Sequence, residues 1–141
     1  MKILFAADGS QRALAALELL LARLEWFREP PTITLVNVHP AVPYPGATHW
    51  VGRDNLSKYY DEESQKALQS SVDLMKAKAV RHDVALLVGD PATEIARHAD
   101  EHAYDLVVMG TRGHTALTNL VLGSVATKVL AVSNVPVLFL R

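Results

Sequence analysis

Short unbroken apolar runs alternate along this chain with longer stretches in which apolar residues recur every third or fourth position. The runs Ile3 to Ala7, Thr32 to Val38, Val84 to Val88, Leu106 to Met109 and Val135 to Leu140 read as five buried strands. The stretches between them read as helices. Ser10 is placed to cap the first, and Leu14, Leu17, Leu20 or Leu21, Leu24 and Phe27 fall on one face before Pro30 and Pro31 end it. A second helix is expected from about Asn55 to His82, with Leu68, Val72, Met75 and Ala79 as its stripe. Asp90 followed by Pro91 is a favoured helix start, with Ile95, Ala96 and Ala99 facing inward. The last helix begins at Ser124 and turns Val125, Val129 and Val132 inward. Between His39 and Arg53 three prolines and two glycines interrupt any period, in a segment that carries Tyr44 and Trp50.

Strands that are apolar on both faces, each separated from the next by a helix, are the mark of a parallel sheet covered on both sides. The expectation is one doubly wound α/β domain over residues 1–141, five-stranded, with helices on both faces and no internal repeat. Such a sheet holds its ligand outside the carboxyl ends of the strands, where the strand order reverses. The first strand ends at Asp8 and the fourth at Gly110. If these two are neighbours, both endings meet at one crevice, with Val38 and His39 on its flank.

The fourth strand runs into Met109-Gly110-Thr111-Arg112-Gly113, and after nine intervening residues comes Gly123-Ser124. Glycines at a strand end and a helix start let a backbone approach a phosphate unobstructed. The helix beginning at Ser124 turns its free N–H groups and the positive end of its dipole toward that point. A purely structural reading also exists: Gly110 ends a strand, Gly113 makes a turn and Gly123 packs a helix. The strand–loop–helix context favours an anion site.

Composition narrows the chemistry. The chain has 141 residues, half of them hydrophobic, and a formal net charge of -1. That length supports a real core, and the charge offers no electrostatic case for nucleic acid or an anionic membrane. Cysteine is absent, which removes disulfides, thiolate metal sites and thiol nucleophiles. No apolar run reaches membrane-span length, and Met1 to Asp8 is too short and ends too polar for a secretion signal, so the expected compartment is the cytoplasm. Ser10 and Ser124 are both explained as helix-start residues, without a histidine–acid partner at a recognisable spacing. A phosphate loop ending in Lys-Ser/Thr is missing, and with it a fixed lysine for a γ-phosphate.

With these residues in place, the chain resembles the universal stress protein family over its whole length. The resemblance rests on Ile3-Leu4-Phe5-Ala6-Ala7-Asp8, on the order of elements, on the closing Val135-Pro136-Val137-Leu138, and on Gly110, Gly113, Gly123 and Ser124, which match the family's G-x2-G-x9-G-S/T pattern at every fixed position. It implies the ATP-binding branch of that family, a sheet of order 3-2-1-4-5, and a homodimer paired through Val135 to Leu140. By position, it implies Asp8 at the ribose hydroxyls, the backbone of Val38 at the adenine edge, and Ala6 and Ala7 as walls of the base pocket. Met109 would flank the nucleotide, and Gly110, Arg112 and Gly113 would wrap the ribose and first phosphates. Gly123, Ser124 and Val125 would hold the terminal phosphates. The implied cofactor is ATP, with Mg²⁺ as its candidate counter-ion. Ala126 stands where a hydroxyl residue is often found, so one phosphate contact is expected to be missing.

The implied function is a nucleotide-dependent switch or adaptor in stress response. Two other readings stay open: a slow ATP hydrolase, for which no water-positioning residue stands out, and a nucleotide-free dimeric adaptor. Several residues also keep two readings. Asp8 is a turn residue or a ribose ligand, and Arg112 and His114 are loop side chains or phosphate donors. His39 reads as a rim residue. His98 and His102 have metal-clamp spacing but no evident third ligand, and read as a solvated helical face. Tyr59, Tyr60 and Trp50 either cover the site or shield the sheet.

Overall fold

A computed structural model describes residues 1–41, 53–111 and 122–141. Tyr44, Trp50, Arg112, Gly113 and His114 lie outside the described residues. Five strands, β1 (Lys2–Ala6), β2 (Thr32–His39), β3 (His82–Val88), β4 (Leu106–Gly110) and β5 (Val137–Leu140), form one sheet. Its order is β3-β2-β1-β4-β5 and every pairing is parallel. The described helices are α1 (Gln11–Leu21), α2 (Arg53–Ala77), α3 (Pro91–Glu101) and α4 (Ser124–Val132), with a single 3₁₀ turn at Leu24–Trp26. None of the described helices is long and apolar enough to cross a membrane.

The two-residue side-chain period of the strands divides the core between the two faces of the sheet. Ile3 and Phe5 of β1, Ile33 and Leu35 of β2 and Val108 of β4 pack with Leu17 and Leu20 of α1 and Leu68 and Met75 of α2. Leu4, Val36, Val107 and Met109 point the other way, against Ile95 and Ala99 of α3 and Ala126 and Val129 of α4. Both faces are therefore covered, which is why the strands carry no polar alternation. Thr34 faces the second layer, and its Oγ1 accepts the Tyr104 hydroxyl proton at 2.9 Å.

Helix starts agree with expectation. Ser10 Oγ accepts from Ala13 N–H, and Asp90 accepts from Thr93 N–H with Pro91 in the first helical turn. The helix ends differ. α1 stops at Leu21 and buries Ala13, Ala16, Leu17 and Leu20, so Leu24 belongs to the 3₁₀ turn and Phe27 lies beyond it. α2 stops at Ala77, not near His82, because Ala79 adopts φ 54° and Val80 N–H reaches back to Met75 O at 2.9 Å. Ala103, with φ 50° and Tyr104 N–H on Ala99 O at 3.0 Å, ends α3 in the same way. Both are Schellman closures with alanine where glycine is usual. Val132 is 52% exposed, so the buried stripe of α4 is Ala126 and Val129, without Val132.

Candidate functional site

β1 lies between β2 and β4, so the strand order reverses there, as a ligand crevice in this architecture requires. The β1–β2 register ends at Ala6 opposite Val36, and the β1–β4 register at Ala6 opposite Met109. Ala7 still donates its N–H to Val36 O at 2.9 Å, and then the chain leaves the sheet. Gly9, at φ +79°, makes the exit possible. A Cβ there would stand 3.0 Å from both Cα and O of Ala67, so the turn packs directly on α2. β2 and β4 continue past this point, and the gap between them is a cavity of about 260 Å³. That is just under the usual range of small-molecule sites, which begins near about 300 Å³.

The cavity draws on every element at this rim. β1 and its turn give Ala6, Ala7 and Asp8, and β2 gives Val36, Asn37 and Val38. β4 gives Met109 and Gly110, followed by Thr111, and the start of α4 gives Gly123, Ser124, Val125 and Ala126. Nine of the eleven residues expected from the sequence thus line one space: Ala6, Ala7, Asp8, Val38, Met109, Gly110, Gly123, Ser124 and Val125. The other two, Arg112 and Gly113, are outside the described residues. Sequence reasoning missed Asn37, Thr111 and the contribution of Pro91 and Ile95 from α3. Asn37 had a visible signal: it is polar and buried within an apolar strand.

The walls are chemically divided. Alanines, valines, Ile95 and Met109 form an apolar slot, and polar groups gather at Asp8, Thr111 and the start of α4. Asp8 carries out its turn role, since its Oδ1 accepts Ser10 N–H at 3.0 Å, and it also lines the cavity. At the α4 start, Gly123 is the N-cap with no side-chain cap bond, and its own N–H goes to Thr111 O at 2.7 Å. The expectation that Gly123 N–H holds a phosphate is therefore replaced by a tie between the two ends of the loop. The following amides, from Ser124 on, belong to the first helical turn and have no intrahelical acceptor. Ser124 is exposed.

Asp90, the cap of α3, is held below the ordinary carboxylate range by the Thr93 N–H, then by the Thr93 hydroxyl and the nearby Lys128. At the end of β2, His39 gathers with Tyr59 and Tyr60, its ring centroid 5.8 and 5.1 Å from theirs. The rings of His98 and His102 lie 4.1 Å apart, tilted by 32°, at the carboxyl end of α3. Among the described residues no group of three or more His, Asp or Glu comes together to hold a metal.

The model of the universal stress protein family matches residues 1–141. Universal stress protein MJ0531 of Methanocaldococcus jannaschii is 35% identical over 99% of this chain and 81% of its own length. The solved structure of MJ0577 from the same organism superposes with a TM-score of 0.81 at 26% identity, covering 99% of this chain and 94% of that one. An Archaeoglobus fulgidus family structure described in complex with dAMP has a TM-score of 0.70 at 24% identity, covering 100% and 98%. Family structures described with cAMP and, from Arabidopsis thaliana, with AMP share the fold at 20% and 15% identity.

Proposed function

We propose, for a chain that belongs to the universal stress protein family, that the cavity at the ends of β1, β2 and β4 binds an adenine nucleotide and that the protein is a nucleotide-responsive regulator in stress response. The single observation carrying this reading is the division of the cavity: an apolar slot between β2 and β4 runs onto the uncapped start of α4. A purine suits the first and a phosphate the second. Ala6, Ala7 and Met109 would enclose the base, with Asp8 toward the ribose and Gly110 beside it. Ser124 and Val125 would receive phosphate through their N–H groups and the Ser124 hydroxyl. Complexes of family members with AMP, dAMP and cAMP support an adenine base. We assign ATP with Mg²⁺ as the working ligand. A triphosphate would extend out of so small a cavity past Ser124. Its occupancy would be communicated to a homodimer through the edge strand β5.

A mass spectrum of small molecules released by denaturing freshly purified protein tests this. Adenine nucleotide is the expected finding. Mg·ATP at a hundredfold excess over Kd should add about 2.7 kcal/mol of stability, a rise in Tm of about 8 °C for a domain of this size. An empty spectrum together with no shift at millimolar ATP would sink the reading.

A further inference from the structure

Asn37 is 7% exposed, yet its side chain crosses to another strand, where Nδ2 donates to Ala7 O at 2.8 Å. The position of that acceptor gives the bond its meaning. In a parallel ladder a residue donates to the partner strand one position back and accepts one position forward. Ala7 N–H does donate to Val36 O. The next rung would be Val38 N–H to Ala7 O, and the Asn37 amide occupies that carbonyl instead. Strand parity fixes where Val38 then points. His39 O accepts Gly89 N–H on the β3 side, so the main chains of Val36 and Val38 face the β1 side. Beyond Ala7 that side is the cavity, and Val38 lines it.

We infer that Asn37 is the residue that sets base specificity: by capping the Ala7 carbonyl it ends the β1–β2 ladder one rung early and reserves the Val38 N–H and C=O for the edge of a nucleobase. This rests on the nucleotide reading above. An N–H beside a C=O on one edge complements adenine, whose N1 accepts and whose exocyclic amine donates. In the same pose a 6-oxopurine places O6 against the Val38 carbonyl and N1–H against the amide, and both contacts are repulsive. Asn37 itself need not touch the base. It acts through Val38 and is a positioning residue.

The test uses adenosine and inosine, which share the ribose and lack phosphate, so that α4 plays no part. Wild-type protein should bind adenosine at least about tenfold more tightly than inosine, the equivalent of one good hydrogen bond. In Asn37→Ala and Asn37→Val the ratio should fall toward one, while the gain in affinity from adenosine to AMP stays as in wild type. General damage to the fold would move both. An independent measurement needs no variant. The Val38 amide of nucleoside-free wild type should exchange with solvent much faster than the Val36 amide and become protected on adding adenosine. An unchanged adenosine-to-inosine ratio in folded variants, or a Val38 amide already as protected as Val36, overturns the role of Asn37. Failure of wild-type protein to bind either nucleoside or AMP overturns the nucleotide reading itself.

Discussion

α3 and α4 start side by side at one rim of the sheet and border one cavity, but they satisfy their first amides differently. At α3 the protein supplies its own anion: Asp90 accepts both the N–H and the hydroxyl of Thr93, at 3.1 and 3.0 Å. At α4 the N-cap is Gly123, which has no side chain to offer, and the Thr127 hydroxyl donates to its carbonyl at 3.0 Å without helping the free amides. The first helix end is finished and the second is left for something else to complete. On the nucleotide reading proposed above, the binding end is the one that the sequence declines to cap, and the structural end is the one that it caps twice.

The largest effect should come from erasing the difference. Gly123 sits at φ -71° and ψ 163°, a conformation open to any residue. Gly123→Asp should give α4 its own carboxylate cap, adding a few tenths of a kcal/mol to the ligand-free fold. It should also weaken AMP or ATP binding by about a hundredfold, through lost amides and like-charge repulsion. Titration calorimetry beside thermal melts would show stability and affinity moving in opposite directions. If both fall together, the α4 start is structural.

The reciprocal change is smaller. Asp90→Ala should lower Tm by a few degrees and leave nucleotide affinity within about twofold, since Asp90 does not itself line the cavity. The pH dependence has a definite sign. The folded carboxyl is held low by Thr93, so the stability it contributes is present at neutral pH and lost as acid carries the pH down through that lowered value. Asp90→Ala should therefore melt with a shallower acid slope than wild type. Smaller still is a change at the far end of α3. Ala103→Gly should stabilise by about 0.5–1 kcal/mol, because alanine pays a left-handed backbone penalty at φ 50° that glycine does not. Denaturant midpoints would register it, with no change in binding.

The smallest expected effect concerns His98, held below the ordinary histidine range first by burial and then by His102 and Arg97. Glu101 on the same helix opposes this, Lys2 reinforces it, and the Tyr104 ring lies 5.7 Å away. Here the unfolded chain takes up the proton more readily than the folded one, so acidification through about pH 6.5 weakens the fold. His98→Gln should flatten the fall in Tm between about pH 7 and about pH 5. An unchanged slope would show that the two adjacent histidines carry no linkage.

Much of the fold was legible because its signals are local. Apolar runs marked the strands, Ser10 and Asp90 marked helix starts, and strand endings at Asp8 and Gly110 located the crevice. What failed to show depends on conformation or distance. Ala79 and Ala103 end helices without the glycine that would announce it, so α2 was expected to run on toward His82. The role of Asn37 did not show because its partner, the Ala7 carbonyl, lies just past the end of β1, thirty residues away. The amide of Gly123 was expected to face a phosphate, and only folding brings Thr111 within reach of it.

The bond from Gly123 N–H to Thr111 O has a consequence for how this chain can change. It works as a clasp, fixing where the chain departs from β4 and where it re-enters at α4, whatever lies between. Insertions between those two residues should be cheap, since doubling a loop's length costs only about 0.6 kcal/mol in closure entropy. For folding alone, the clasp holds the two anchor points still whatever the length of the connection between them.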